Sequence, residues 1–174
     1  MLEWRVPAAA YALSPDEFLR SVAATRDTLG KRRMKLLDIV SEVRALSMEA
    51  PYAVIGGLAQ ILWARKTHTD DLDLALAAPD LISVQNEPFN SEILTTSVSV
   101  SELGGIFFVR PELLLVTHLL RPGPQAAIAA VELILARREA GTFDVNESRV
   151  WAERLGRAER LDRALRHADT FALE

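Results

Sequence analysis

The sequence predicts an α+β fold: a small mixed β-sheet flanked by helices, with a helical bundle at its C-terminal end. Three observations predict it. Short apolar or alternating runs cluster between residues 52 and 110, closely punctuated by glycine and proline. Helix-type periodicity fills residues 15–50 and 112–168 on either side. The size, 174 residues with 49% hydrophobic and 25% charged side chains, is that of one ordinary globular domain. By pattern the chain divides into an N-terminal helical segment over 1–50, an α/β core over 51–111 and a helical region over 112–174, three parts that can share one core.

The elements follow in order. Ser14-Pro15-Asp16-Glu17 reads as a helix start, with serine as N-cap, proline at the first helical position and glutamate closing a capping box. Phe18, Val22 and Leu29 then form an apolar stripe, and Gly30 is its stop. The Lys-Arg-Arg-Met-Lys run at 31–35 opens a second helix, with Leu36, Leu37, Val40 and Val43 on one side. Tyr52-Ala53-Val54-Ile55 is a buried-type strand running into Gly56-Gly57, and a helix from Leu58 to Arg65 follows, with Leu58, Ile61 and Leu62 inward. After the polar turn Thr67-His68-Thr69-Asp70, residues 71–76 alternate with period 2 as a half-buried strand does. Residues 79–91, with Pro79 and Pro88, read as a loop. Two further strands are expected over 92–100 and 105–109, separated by Gly104-Gly105. Beyond Pro111, Leu113, Leu114, Val116, Leu119 and Leu120 mark a helix broken by Arg121-Pro122-Gly123-Pro124. A second runs over 125–139 and ends at Gly141. Asp144 caps a third that stops at Gly156, and a fourth turns Leu161 and Leu165 inward.

Composition narrows the function classes. The chain has no cysteine, which removes disulfides, thiolate catalysis and cysteine-held zinc or iron–sulfur centres. No apolar run approaches the roughly 20 residues of a membrane span. The N-terminus carries an acidic third residue and a proline, and lacks the basic lead-in of a signal peptide, so the cytoplasm is the expected compartment. The net charge of −4 is localised: residues 51–111 hold three basic side chains (Arg65, Lys66, Arg110) against seven acidic ones, which matches the whole excess. An acidic middle does not suit a broad nucleic-acid footprint, although it suits a site that holds a cation.

The chemistry-bearing stretch is Ile55-Gly56-Gly57, thirteen residues, then Asp71-Leu72-Asp73-Leu74. Aspartates at i and i+2 on a strand point to one face, where their carboxylates repel unless a cation lies between them. Magnesium is commonly held by one or two carboxylates together with substrate phosphates. Glycines at a strand-to-helix turn let backbone N–H groups approach an anion, and the helix N-terminus adds partial positive charge. A phosphate cradle and a metal-holding pair joined by one helix are the minimum equipment for metal-assisted nucleotidyl transfer. The bland alternatives are a plain turn for Gly56-Gly57 and a solvated strand face for Asp71 and Asp73.

The same residues resemble the signature of the DNA polymerase beta-type nucleotidyltransferase superfamily: a hydrophobic residue, Gly-Gly or Gly-Ser, about a dozen residues, then Asp-hydrophobic-Asp-hydrophobic. The resemblance is strong over residues 52–76. A weaker one at Phe108-Val109-Arg110-Pro111-Glu112-Leu113-Leu114 is similar to the entry into the C-terminal helices of small bacterial members, including abortive-infection and toxin–antitoxin types. It implies that Gly56 and Gly57 contact the triphosphate, that Asp71 and Asp73 are catalytic and coordinate Mg²⁺ or Mn²⁺, and that a nucleoside triphosphate is the substrate. Lys66, beside the polar lead-in, and Thr69, within it, join the nucleotide-contacting candidates. Gly57 stands where many members carry serine. The superfamily also adds a third carboxylate from a neighbouring strand, and Glu92, at the head of the next expected strand, is the candidate, with Glu102, Glu87 and Asp80 behind it.

Two functions follow. The chain is expected to move a nucleoside monophosphate from a triphosphate to a hydroxyl on a small molecule, an RNA or a protein. The alternative is a catalytically incomplete protein of the same fold that binds a nucleotide or a partner. The basic run at 31–35 and the arginines of the tail are the surfaces open to RNA; a solvated helix face explains them equally. Arg65, Lys66 and Arg110 are read first as solvated, His68 as an exposed turn residue, and Trp63 and Trp151 as packing residues. His118 and His167 fall in helices at spacings that suggest no metal centre.

Overall fold

β1 (Tyr52–Ile55) runs directly into α1 (Gly56–Ala64), and β2 (Asp73–Leu76) returns beside it. There follow α2 (Glu87–Thr96), β3 (Val98–Val100), β4 (Ile106–Phe108), and the helices α3 (Pro111–Leu120), α4 (Pro124–Glu139), α5 (Val145–Arg154) and α6 (Ala158–Phe171). This computed structural model describes residues 51–64, 73–76, 87–101 and 105–171. Over them the chain is a mixed α+β structure. The helices expected over 15–50, with the basic run at 31–35, lie outside the described residues.

The sheet has the order β2-β1-β4-β3. β1 pairs antiparallel with β2 and parallel with β4, and β3 pairs antiparallel with β4. Tyr52, Ala53 and Val54 are all buried, which is why β1 reads as a continuous apolar run instead of an alternating one. At the β3–β4 turn Gly105 takes φ +78°, and its N–H donates to the Val100 carbonyl at 3.0 Å.

α1 is buried along all nine of its residues, more completely than the Leu58, Ile61, Leu62 stripe implied. A helix apolar all round belongs in the core of a structure. Its one polar interior side chain is satisfied: Gln60 Nε2 donates to the Ala129 carbonyl at 2.9 Å, and Gln60 Oε1 lies 2.8 Å from His118 Nε2. Trp63 Nε1 donates to the Val109 carbonyl at 2.8 Å. α1 is therefore tied both to the residue that follows β4 and to the C-terminal helices.

One expectation is corrected. Residues 87–96, expected as the end of a loop and the start of a strand over 92–100, form the helix α2, and of that strand Val98–Val100 remains; residues 79–86 of the expected loop lie outside the described residues. Pro88 sits in the first turn, where no backbone donor is required. Phe89 and Ile93, spaced i,i+4, are buried together. The β-branched Thr95 and Thr96 are accommodated because their hydroxyls donate to the carbonyls of Ser91 and Glu92 at 2.8 and 2.7 Å. Tertiary burial overrode a local strand preference.

The C-terminal helices begin and end where the sequence punctuates them. Pro111 opens α3, and Pro122 holds Arg121 extended (φ −75°, ψ 137°), ending the helix at Leu120. Asp144 caps α5, its side chain accepting from the Asn146 N–H at 2.9 Å. One cluster of buried side chains runs from Tyr52 to Ala168. Among the described residues no helix is long and apolar enough to cross a membrane.

Candidate functional site

The antiparallel register places Asp73 opposite Ile55, the last residue of β1. Gly56 follows with φ +62°, a conformation that L side chains rarely adopt. A Cβ on Gly56 would lie 1.9 Å from Asp73 Oδ2, 2.7 Å from its Cγ and 2.8 Å from its Cβ. Glycine is thus required twice, for its dihedral and for its missing side chain. The Asp73 carboxyl packs directly on the turn that opens α1. The first N–H groups of a helix lack intrahelical partners, so they are available to an anion. Gly57 is buried in the same first turn.

A third group meets the carboxylate. Arg121 Nη2 lies 3.1 Å from Asp73 Oδ2, with the two side chains 52% and 25% exposed. Arg121 stands there because α3 ends just before it, and the end is pinned from α6: Arg160 Nη1 donates to the carbonyls of Leu119 at 2.9 Å and Arg121 at 3.1 Å. A guanidinium, a carboxylate and a glycine turn from three separate stretches of chain therefore converge. Sequence reasoning missed Arg121; its one local signal is Pro122, which ends the preceding helix.

Asp71, Lys66 and Thr69, with Arg65 and His68, lie outside the described residues. Of the expected carboxylate pair, Asp73 is described. Its Oδ2 is paired with Arg121 and lies against the turn that opens α1. Among the described residues no three His, Asp or Glu side chains gather as a metal-ligand set.

Glu92 is half-buried on α2, so it does not stand at the head of a strand as expected. Its charge is felt instead at Glu147, within a second polar group. There Arg110, expected to be solvated, is partly buried against Glu147, and its Nη2 lies 3.7 Å from Glu112 Oε2. Burial holds the Glu147 carboxyl above the usual glutamate range; Arg110 opposes the shift, while Glu112, Glu92 and Asp144 add to it. Glu112 is itself buried. Arg137, also buried, lies over the Trp63 ring at 5.3 Å and donates to Thr142 Oγ1. Desolvation lowers its pKa, and Glu112 works the other way.

Trp63, Trp151 and His118 resolve as packing residues. Trp63 and Trp151 are buried, the latter 5.2 Å from the Phe89 ring. His118 is a core histidine satisfied by Gln60, and His167 is exposed on α6. Comparison of the chain with family models, with curated proteins and with solved structures finds no match.

Proposed function

We propose that this chain is a metal-dependent nucleotidyltransferase of the DNA polymerase beta type, moving a nucleoside monophosphate from a triphosphate to a hydroxyl acceptor. One observation carries the reading: the Asp73 carboxyl fills the space that a Cβ on Gly56 would occupy. That apposition joins an anion-accepting turn to a carboxylate at the point where the motif requires both. In the transfer the acceptor hydroxyl gives its proton to a base, its oxygen bonds to the α-phosphorus, the bond from that phosphorus to the oxygen bridging to the β-phosphate breaks, and pyrophosphate leaves. The turn at Gly56 and Gly57 would receive the phosphates on backbone N–H groups, and Arg121 would add a charge-assisted donor beside them. Asp73, with Asp71, would hold Mg²⁺ or Mn²⁺, which neutralises the charge developing on the phosphates. Such catalysis is mostly positioning and electrostatics.

A second reading, a nucleotide-binding module without turnover, is favoured by the position of Glu92 on a helix and in the field of Glu147. One set of measurements separates the two. A triphosphate with magnesium at about 100 times its dissociation constant is expected to stabilise the protein by roughly 2.7 kcal/mol. Asp73→Asn and Asp71→Asn should each abolish that gain while leaving the fold intact. Labelled triphosphate should then yield a labelled acceptor and pyrophosphate. If Glu92 is the general base, Glu92→Gln lowers turnover by about 10²–10⁴ while binding persists. Binding without turnover in the wild type selects the module. Wild-type affinity in both aspartate variants ends the metal-dependent transferase reading, and no thermal shift with any triphosphate ends both.

A further inference from the structure

A recess with a volume of about 710 Å³ lies between α4 and α6, its lining including Arg121 but not the glycine turn itself. That size is within the range of small-molecule sites. The two helices run parallel. Arg160, at the start of α6, bonds the carbonyls of Leu119 and Arg121, just ahead of the start of α4. Arg138, near the end of α4, pairs with Asp169, near the end of α6, at 2.8 Å. Both N-termini, the positive ends of the helix dipoles, therefore sit at the Arg121 end of the groove.

The walls are correspondingly polarised. Arg121, Arg160 and Arg163 line the groove toward the helix starts, and His167 follows one turn later. Arg160 serves the α3 carbonyls and Arg121 pairs with Asp73, whereas Arg163 and His167 have no hydrogen-bond or ion-pair partner among the described residues. Further along the wall is apolar, formed by Val131, Leu135 and Phe171, with Ile128 on the rim. Ile128 and Phe171 are 50% and 60% exposed and both line this recess. Glu132 is the one acidic side chain in the lining. From Pro124 to Leu135 the groove runs along eleven residue steps of α4, about 16 Å.

From this polarity we propose that the groove binds an elongated anionic amphiphile, a free fatty-acyl carboxylate, with its head at Arg163 near the helix N-termini and its chain along Val131, Leu135 and Phe171. A cationic or neutral head gains nothing at that end, and a short anion leaves the apolar wall uncovered. The inference stands independently of the nucleotidyltransferase reading.

Calorimetric titration of the full chain with sodium laurate, below micelle-forming concentration, tests it. One saturable site is expected, with affinity rising about two- to fourfold for each methylene added between butyrate and laurate. Arg163→Glu should weaken laurate at least about tenfold, and Phe171→Ser should weaken it while flattening the dependence on chain length. Both residues are exposed, so unchanged melting should accompany both losses. Dodecyltrimethylammonium, with the same chain and opposite charge, should bind at least about tenfold more weakly than laurate. Equal binding of the two amphiphiles, no saturable laurate site, or wild-type affinity in both variants overturns the proposal. So does a dimer, seen by light scattering, that Phe171→Ser dissociates, since a second copy would then be the occupant; tighter binding of an acidic amphipathic peptide than of laurate has the same force.

Discussion

At Gly56 a single residue meets two demands at once. A left-handed conformation costs a non-glycine residue roughly 1–2 kcal/mol, and here a Cβ would also collide with three atoms of Asp73. Gly56→Ala should therefore destabilise the protein by at least about 2 kcal/mol in denaturant titration. The two contributions can be separated. Asp73→Gly removes all three obstructing atoms and leaves only the dihedral penalty. The double variant should then be more stable than the sum of the singles by about 0.5–3 kcal/mol. Strict additivity would show that the glycine and the carboxylate are not in contact. The pair Gly56 and Asp73 was legible in the sequence because both belong to one short motif. Arg121, the third member, was not, because its approach depends on where α3 ends and on what Arg160 holds.

At the scale of elements, α2 and the Arg110 group teach opposite lessons about locality. A strand is expected over 92–100, yet Phe89 and Ile93 need one helical face to reach the core, and the helix takes the residues up to Thr96. The Arg110 group links α3 and α5 through charge. Glu147, on α5, is held above the usual glutamate range mainly by burial, so the fold favours its protonated form. The sign follows: the stability that this group contributes is complete below the ordinary glutamate pKa, and it is lost as pH climbs through the raised value. Glu147→Gln keeps the neutral form at every pH and can still accept from Arg110. Across that window the unfolding free energy of the wild type should fall relative to the variant. Parallel pH profiles would mean that Glu147 titrates in the fold as it does in the unfolded chain.

Over the whole molecule, one apolar cluster joins the strands to the C-terminal helices, and α1 lies within it, buried on every side. Stripping α3 and α4 away would expose α1 and leave Gln60 without Ala129 and His118. The sheet and the C-terminal helices should consequently unfold together. Far-UV circular dichroism, which follows the helices, and near-UV signals from the packed Trp63 and Trp151 should give coincident denaturant transitions; two separated midpoints would show independent units. The sequence by itself determined the features that depend on neighbours in the chain: the strand Tyr52–Ile55, the glycine turn after it, the Asp144 cap and the breaks at Pro122 and Gly156. Each rests on local dihedral preference or periodicity, which a few residues suffice to express. Only the tertiary structure decided that residues 87–96 are helical, that Arg121 reaches Asp73, that Arg110 pairs with Glu147, and that α4 and α6 lie parallel with their arginines at one end of a groove. These depend on burial and on contacts across tens of residues, where the free energy of packing outweighs local preference.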